Sequence, residues 1–315
     1  MATVDPTGGE MRPSLAKRLF DNDLAHSFIR QPVIVISAIV AVLCILASAL
    51  APWIAPHDTF DPSTLDLMDS FLPPAWVDGG DPRFLFGTDD QGRDILSTIL
   101  YGSRISLVVG FSAILFAVVL GVTMGVLSGY VGGWLDTLIM RAADIQLTIP
   151  GILIALMVNG IARTLVPREL QADLAIYVLI FAIGIADWPQ FARVVRGATL
   201  VEKRKEYVAA AQVIGVHPLK IMARHILPNV MSPVLVLSTI GLAQAIITEA
   251  SLSFLGVGVP PTTPSLGTLI RVGNNFLFSG EWWITFIPAL ALVVLVLSVN
   301  LLGDWLRDAL NPKLR

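Results

Sequence analysis

Charge is what this 315-residue chain has least of: 14% of its residues are Asp, Glu, Lys or Arg, while 55% are hydrophobic. A water-soluble globular protein carries roughly 25% charged residues, so water is not the solvent for most of this surface. A chain of this length could bury a large core, but it would still need a charged skin that the sequence does not supply. Cys44 is the only cysteine and lies in an apolar run, which excludes a disulfide framework and a thiol metal site. His26, His57, His217 and His225 are scattered, and no HExxH occurs, so the sequence offers no metal-ligand cluster. There is no Gly-Lys dipeptide and therefore no P-loop; any ATP must be bound by another chain. No GxSxG elbow appears, and acidic residues at membrane depth are too few for an intramembrane aspartyl protease. No basic-aromatic array suggests nucleic acid. Catalytic residues, a cofactor and a metal are not expected in this chain.

What is present is a series of long uncharged runs. A membrane helix needs about 20 mostly apolar residues. Such windows cover residues 32–56, 105–135, 145–162, 226–248 and 282–303, with a weaker one, LAIYVLIFAIGIA, interrupted by Asp187. Six spans follow. A seventh window, SLSFLGVGVPPTTPSLGTLI, holds Pro260, Pro261 and Pro264 among three glycines, so it reads as a helix end followed by a tucked loop. The first span is too long, and too far from the N-terminus, for a cleaved signal peptide, and is expected to remain as an anchor.

Positive charge sets the orientation. With the N-terminus in the cytoplasm, six spans return the C-terminus there, and most of the 21 lysines and arginines fall inside. Only Arg83, Arg93, Arg104, Arg163, Arg168 and Arg271 then face outward. The expected organisation is a cytoplasmic tail (1–32), a first transmembrane helix (33–55) and an extracytoplasmic loop of turns and short helices (56–103). A five-helix core (104–303) with a cytoplasmic loop at 196–228 follows, then a cytoplasmic tail (304–315).

That cytoplasmic loop is charged and helical in pattern. Residues 201–215 form one helix candidate, with Val201, Val208, Ala211 and Ile214 or Gly215 on one face and charges on the other. Gly215 suits a left-handed helix end. Pro218 can open a second short helix, PLKIMARHIL, and Pro228 marks the step into the fifth span. Ala209, Ala210 and Ala211 are expected to face outward. The pattern fits two roles, an interfacial anchor in lipid headgroups or a docking surface for another protein.

The stretch EYVAAAQVIG followed by HILPN resembles the EAA loop of the membrane subunits of binding-protein-dependent ABC importers. Ala210 and Ala211 match the alanine pair, Gly215 the glycine, and Leu227 with Pro228 the Leu-Pro. Ala209 stands where the family has Glu, and His225 where it has Ile; Glu206 lies one helical turn upstream of Ala209. FGTDDQGRDILSTILYGSRISLVVG and EASLSFLGVGVPPTTPSLGTLI are similar to two segments of the C-type permeases of dipeptide and oligopeptide importers. The resemblance implies an all-α polytopic membrane protein with six transmembrane helices, the type I ABC importer permease fold and a cytoplasmic coupling helix. It also implies a second, B-type permease, two cytoplasmic ATPases that bind ATP and Mg, and an extracytoplasmic substrate-binding protein, with this chain in a bacterial cytoplasmic (inner) membrane. The imported solute would be a di- or oligopeptide, with nickel, glutathione or opines as alternatives carried by the same subfamily.

Two rival classes fit the sequence less well. An ion-coupled secondary transporter would show paired broken spans in inverted repeats, and only one Gly/Pro-rich interruption is evident. A membrane scaffold does not account for the long outward loop. Polar groups at span ends are candidates for the substrate path. Glu249 lies at the outer end of the fifth span, Asp187 interrupts the fourth, and Asn159 bounds the third. Each has a plainer alternative as an interfacial residue, a span-end marker or an interhelical hydrogen bond. Gly121, Gly125 and Gly129 recur every four residues, a stripe suited to close helix packing within the chain or against a partner.

Overall fold

The structure, a computed structural model, describes Phe28 and residues 30–59, 65–260 and 262–310. Most of the expected N-terminal tail and the last five residues lie outside the described residues. The helices are α1 (Pro32–Ala49), α2 (Ala51–Ile54), α3 (Ile95–Val131), α4 (Gly133–Leu147), α5 (Gly151–Leu165) and α6 (Gln171–Glu202). They continue with α7 (Glu206–Val213), α8 (Pro218–Ile221), α9 (Leu227–Phe254), α10 (Leu266–Asn274) and α11 (Trp283–Leu310). Among the described residues the β-pairing is one isolated bridge, Thr88 with Asp94.

Five helical segments are long and apolar enough to cross a bilayer, and the pair α4–α5, bent by 98°, makes a sixth when counted together as one broken span. The expected single third span is therefore broken: Pro150 caps the start of α5, and the chain turns over Thr148 to Pro150. The fourth span is not interrupted at Asp187, because α6 runs through both Asp187 and Pro189. Proline removes one N–H and frees the carbonyl four residues earlier. Here that carbonyl belongs to Ile185, and the Gln146 side-chain amide donates to it at 2.6 Å and to the Ala186 carbonyl at 3.1 Å. Gln146 also accepts from the Trp188 indole at 3.1 Å, so the α4–α5 bend is keyed to mid-α6. In hydrocarbon a freed backbone group has no water to turn to, and a neighbouring helix must satisfy it.

The principal packing is α3 against α6, and glycine makes it possible. A side-chain carbon built at Gly121 would lie 2.5 Å from Phe191 Cβ, at Gly125 2.6 Å from the Ala192 carbonyl oxygen, and at Gly129 2.8 Å from Thr199 Cβ. The glycine stripe thus serves internal packing. Ala113, Ala117 and Val109 on α3 and Leu179, Ala182 and Ile183 on α6 are fully buried in the same cluster, whereas Phe111, Leu115 and Val119 point away from the bundle.

At one end, α3 begins at Ile95, nine residues before the expected start of the core at 104, because the Asp94 carboxylate caps it by accepting from the Ser97 N–H at 2.9 Å. The loop before it is pinned by a buried Arg93–Asp89 pair at 2.6 Å and by the Trp283 indole donating to the Thr88 carbonyl. The glycine-proline window contains a helix that the pattern did not suggest. Ser265 caps α10, which sits so close to α9 that a carbon at Gly267 would meet the Ala250 carbonyl oxygen at 2.3 Å. At the other end, Arg196 grips Asp136 with two hydrogen bonds of 2.6 and 2.7 Å, and Ser128 donates to the same carboxylate, fixing the start of α4.

Gly125→Leu is expected to wedge α3 from α6 and destabilise the fold by roughly 1–3 kcal/mol. A lowered melting temperature and a smaller monodisperse fraction in mild detergent would register this, whereas the same change at Gly132, where nothing lies within 4 Å of the built carbon, tests strain at a positive φ alone.

Candidate coupling site

At about 1.5 Å per residue, the 32 residues of α6 extend about 48 Å, well beyond the roughly 30 Å of a hydrocarbon core. The helical stretch Pro218–Phe254, 37 residues, is longer still. Both project at the same end, and α7 is the short piece slung between them.

The expected continuous helix over 201–215 is divided. Helix α6 ends at Glu202, a turn spans Lys203 to Lys205, and α7 starts at Glu206. Lys203 Nζ reaches back to the Tyr130 carbonyl and sits 5.2 Å from the Tyr130 ring centre, tying the turn to the end of α3. The second expected helix is not separate either. Helix α8 passes through a π turn, Met222–Ile226, directly into α9, so Pro228 lies in the first turn of a continuing helix and does not mark a step. The physical reason is the same as at Pro189: Pro228 cannot donate to residue 224 and would crowd its carbonyl, and a wider turn relieves both.

Helix α7 presents two faces. Val208 and Ala211 are buried in one cluster with Ile221, Met222 and Ile226. Ala209 and Ala210 are exposed, so two of the three alanines face outward and Ala211 does not. Ile214, expected on the buried face, is 78% exposed, with Val213 at 87% and Leu219 at 63%. The helix closes with Gly215 at φ +78°: its N–H bonds the Gln212 carbonyl and the Val216 N–H bonds the Ala211 carbonyl. That six-to-one and five-to-two pair is a Schellman cap, which requires a left-handed residue. The cap turns Val216 inward and leaves Val213 and Ile214 standing at the tip. Glu206 is exposed in the first turn, Leu227 is half-buried and Pro228 exposed. Val213, Ile214 and Leu219 are thus exposed apolar residues at and just after the C-terminal end of α7, and Arg204, Lys205, Glu206 and Lys220 in the flanking segments are exposed as well.

A polar joint that the sequence did not reveal holds α7 to its two legs. The Tyr207 hydroxyl donates to Glu202 at the end of α6, and the Asn229 amide donates to that hydroxyl at 3.2 Å and to the His225 carbonyl at 2.6 Å. Lys205 Nζ lies 2.7 Å from the second Glu202 oxygen. The Tyr207 ring is partly exposed but its hydroxyl is turned into this joint, and burial, with the Glu202 carboxylate second, pushes it up to about 12.

The other sequence-derived candidates lie elsewhere. Asp187 is half-buried midway along α6, beside the Gln146 key. Glu249 does not line an open path. It is fully buried, with Ser106 donating to one carboxylate oxygen and Ser253 to the other, both at 2.7 Å, so it fastens α9 to α3. Asn159 is 3% exposed, accepts from Arg163 at 3.1 Å, and lines a cavity of about 370 Å³ at the opposite end from α7. The structure therefore does not bring Asp187, Glu249 and Asn159 together.

Residues 117–315 match the family described as the binding-protein-dependent transport system inner membrane component, and residues 22–74 match the N-terminal TM domain of oligopeptide transport permease C. The chain is 44% identical over 280 residues to the dipeptide transport system permease protein DppC of Haemophilus influenzae, covering 89% of this chain and 90% of that one. It is 37% identical to the di/tripeptide transport system permease protein DppC of Pseudomonas aeruginosa, covering 87% and 86%. With the Escherichia coli dipeptide permease DppC it shares 39% identity, covering 92% of each chain. Two inward-facing crystal forms of the MetNI methionine ABC transporter share the fold, with TM-scores of 0.52 and 0.53 at 20% and 22% identity. They cover 68% and 69% of this chain and 96% and 98% of those. The architecture is that of a type I ABC importer permease.

Tyr207→Phe is expected to leave Glu202 and Asn229 without their shared partner and loosen α7. Its backbone amides should exchange roughly tenfold faster, equivalent to about 1.4 kcal/mol, with α3 and α6 unaffected. Because the hydroxyl titrates above the ordinary value of 10.0, its contribution is complete below about pH 10 and is lost as pH rises through about 12. An ultraviolet titration that placed Tyr207 at the ordinary tyrosine value would contradict the joint.

Proposed function

The chain belongs to the family of inner-membrane components of binding-protein-dependent transport systems, and on that premise we propose that it is the C-type permease subunit of an ATP-driven importer of di- and oligopeptides. It works beside a second, B-type permease, two cytoplasmic ATPases that bind ATP and Mg, and an extracytoplasmic protein that delivers the peptide. The chain itself hydrolyses nothing. Both termini lie in the cytoplasm of a bacterial cell, the α7 end faces the ATPases, and the loop before α3 and the end of α5 face outward.

The observation that carries this function is the tip of α7. Val213 and Ile214 stand exposed at a Schellman-capped helix end, on a helix braced against two legs that project past the hydrocarbon. Such a tip fits a groove in an ATPase, and Ala209 and Ala210 let the groove wall approach closely. Glu206, one turn upstream, presents the carboxylate that Ala209 lacks. When ATP draws the ATPases together, a rigid α7 transmits their motion through α6 and α9, and the outward and inward openings exchange. Small and braced side chains suit this task, because a mobile joint would absorb the displacement.

The test is reconstitution with the partner subunits. Ile214→Glu puts a charge on the tip without touching the bundle. It is expected to insert normally, to lose ATPase co-purification by roughly tenfold or more, and to abolish uptake of a radiolabelled dipeptide by cells lacking other peptide importers. Full ATPase recovery with normal uptake would remove α7 from the coupling role. Wild-type cells that take up another solute but no dipeptide would leave the importer class standing and overturn the peptide substrate.

A further inference from the structure

The cavity lined by Asn159 also gathers three of the few arginines at the end opposite α7: Arg163 from the last turn of α5, Arg168 just before α6, and Arg271 from α10. Two of these guanidinium groups meet at one residue. Arg163 Nη2 donates to the Gly256 carbonyl at 3.2 Å, and a side-chain carbon at Gly256 would lie 2.6 Å from Arg271 Nη1. Gly256 holds φ +80°, the left-handed end of α9, and its lack of a side chain is what lets Arg271 lie there. Among the described residues none of the three arginines forms an ion pair, although acidic loop residues nearby in sequence pair with Arg83 and Arg93.

The three arginines are exposed, and an anion placed where two guanidinium groups meet without a carboxylate between them gains from both charges. No Asp or Glu lines this cavity, so nothing in it would attract an ammonium group. The rest of the wall combines Asn159 and Gln171 with apolar residues that include Val166, Val178 and Val259. A volume of about 370 Å³ lies within the roughly 300–1,000 Å³ of small-molecule sites.

We propose that this cavity binds the free α-carboxylate of the incoming peptide as it enters the permease, with Arg163 and Arg271 gripping the carboxylate and the apolar wall accepting side chains without selecting among them. The proposal rests on the peptide substrate and on the sidedness proposed above. It places recognition on the one charged group that every unmodified peptide presents at its C-terminus, which suits a carrier of varied sequences.

The experiment measures equilibrium binding of radiolabelled dialanine, and of its C-terminal amide, to the complete transporter in nanodiscs without the delivery protein. Wild type is expected to bind dialanine at least roughly tenfold more tightly than the amide. Arg163→Gln and Arg271→Gln should each weaken dialanine roughly tenfold to hundredfold and erase that preference, while Arg271→Lys, which keeps charge but not the fork, falls between. Subunit recovery and monodispersity report on folding of each variant. Unchanged affinity and preference in both glutamine variants overturn the proposal. So does intact dialanine binding with weakened docking of the delivery protein, which would assign the arginines to a protein carboxylate. Absence of dialanine binding to wild type also overturns it, and whole-cell dialanine uptake then decides whether peptide import falls with it or stands.

Discussion

The close approach of α3 to α6 is the contact on which the rest of the molecule is hung. Within a bilayer there is no hydrophobic force between helices, since lipid tails are as apolar as leucine, and association depends on packing at short range. Gly121, Gly125 and Gly129 remove the side chains that would hold the two backbones apart, and Phe191, Ala192 and Thr199 fill the space. Because α6 is fixed along this length, its end at Glu202 is a defined point and not a fraying terminus. Helix α7 inherits that position through the Lys203 contact to Tyr130 and the Tyr207 joint.

A second constraint, the need to satisfy every backbone group, accounts for the irregular features. Pro189 frees a carbonyl inside α6, and Gln146 meets it from α4. Pro228 would do the same near the start of α9, and the π turn before it absorbs the mismatch. These two solutions differ in consequence. Gln146 makes the α4–α5 bend dependent on α6 at mid-depth. The π turn leaves the stretch from Pro218 to Phe254 helical throughout, a continuous path for the motion proposed above. There, buried Glu249 connects α9 to α3 through Ser106.

Much of this was legible in the sequence, and the failures share a cause. Uncharged runs located the spans because desolvation of charge dominates in lipid, and the EAA-like stretch located α7 because its glycine and prolines have few alternative uses. The division of 201–215 was not legible: Lys203, Arg204 and Lys205 are adequate helix formers, and the turn there is held by the Lys203 contact to distant Tyr130 and by the Tyr207 hydrogen bond that closes back on Glu202 across it. The same holds for Ile214. Helical periodicity assigned it to the buried face, but α7 ends at Val213 with Ile214 as its C-cap residue, and a helical stripe predicts burial only as far as the helix itself runs. The α4–α5 bend was hidden because both halves are apolar, so composition could not reveal a change of direction. Glu249 and Asn159 were recognised as unusual, yet which buried polar group faces a serine pair and which faces a cavity depends on tertiary neighbours alone.

The distribution of charge joins these observations. At the α7 end, cations are paired or spread around the tip: Arg196 with Asp136, Arg193 with Asp144, Lys205 with Glu202. At the opposite end the acidic loop neutralises its own arginines, Arg83 and Arg93, and leaves Arg163, Arg168 and Arg271 clustered across the bundle. A fold that wanted only solubility or orientation from these three residues would gain more by dispersing them, since each guanidinium is easier to solvate alone. Arg163 and Arg271 meet at Gly256, one on its carbonyl and the other against its bare Cα, which keeps positive charge together at one point of the wall. The three arginines are exposed and solvated at rest, and like charges set side by side favour an anion that both can reach, so the same arrangement would draw a carboxylate into the cavity.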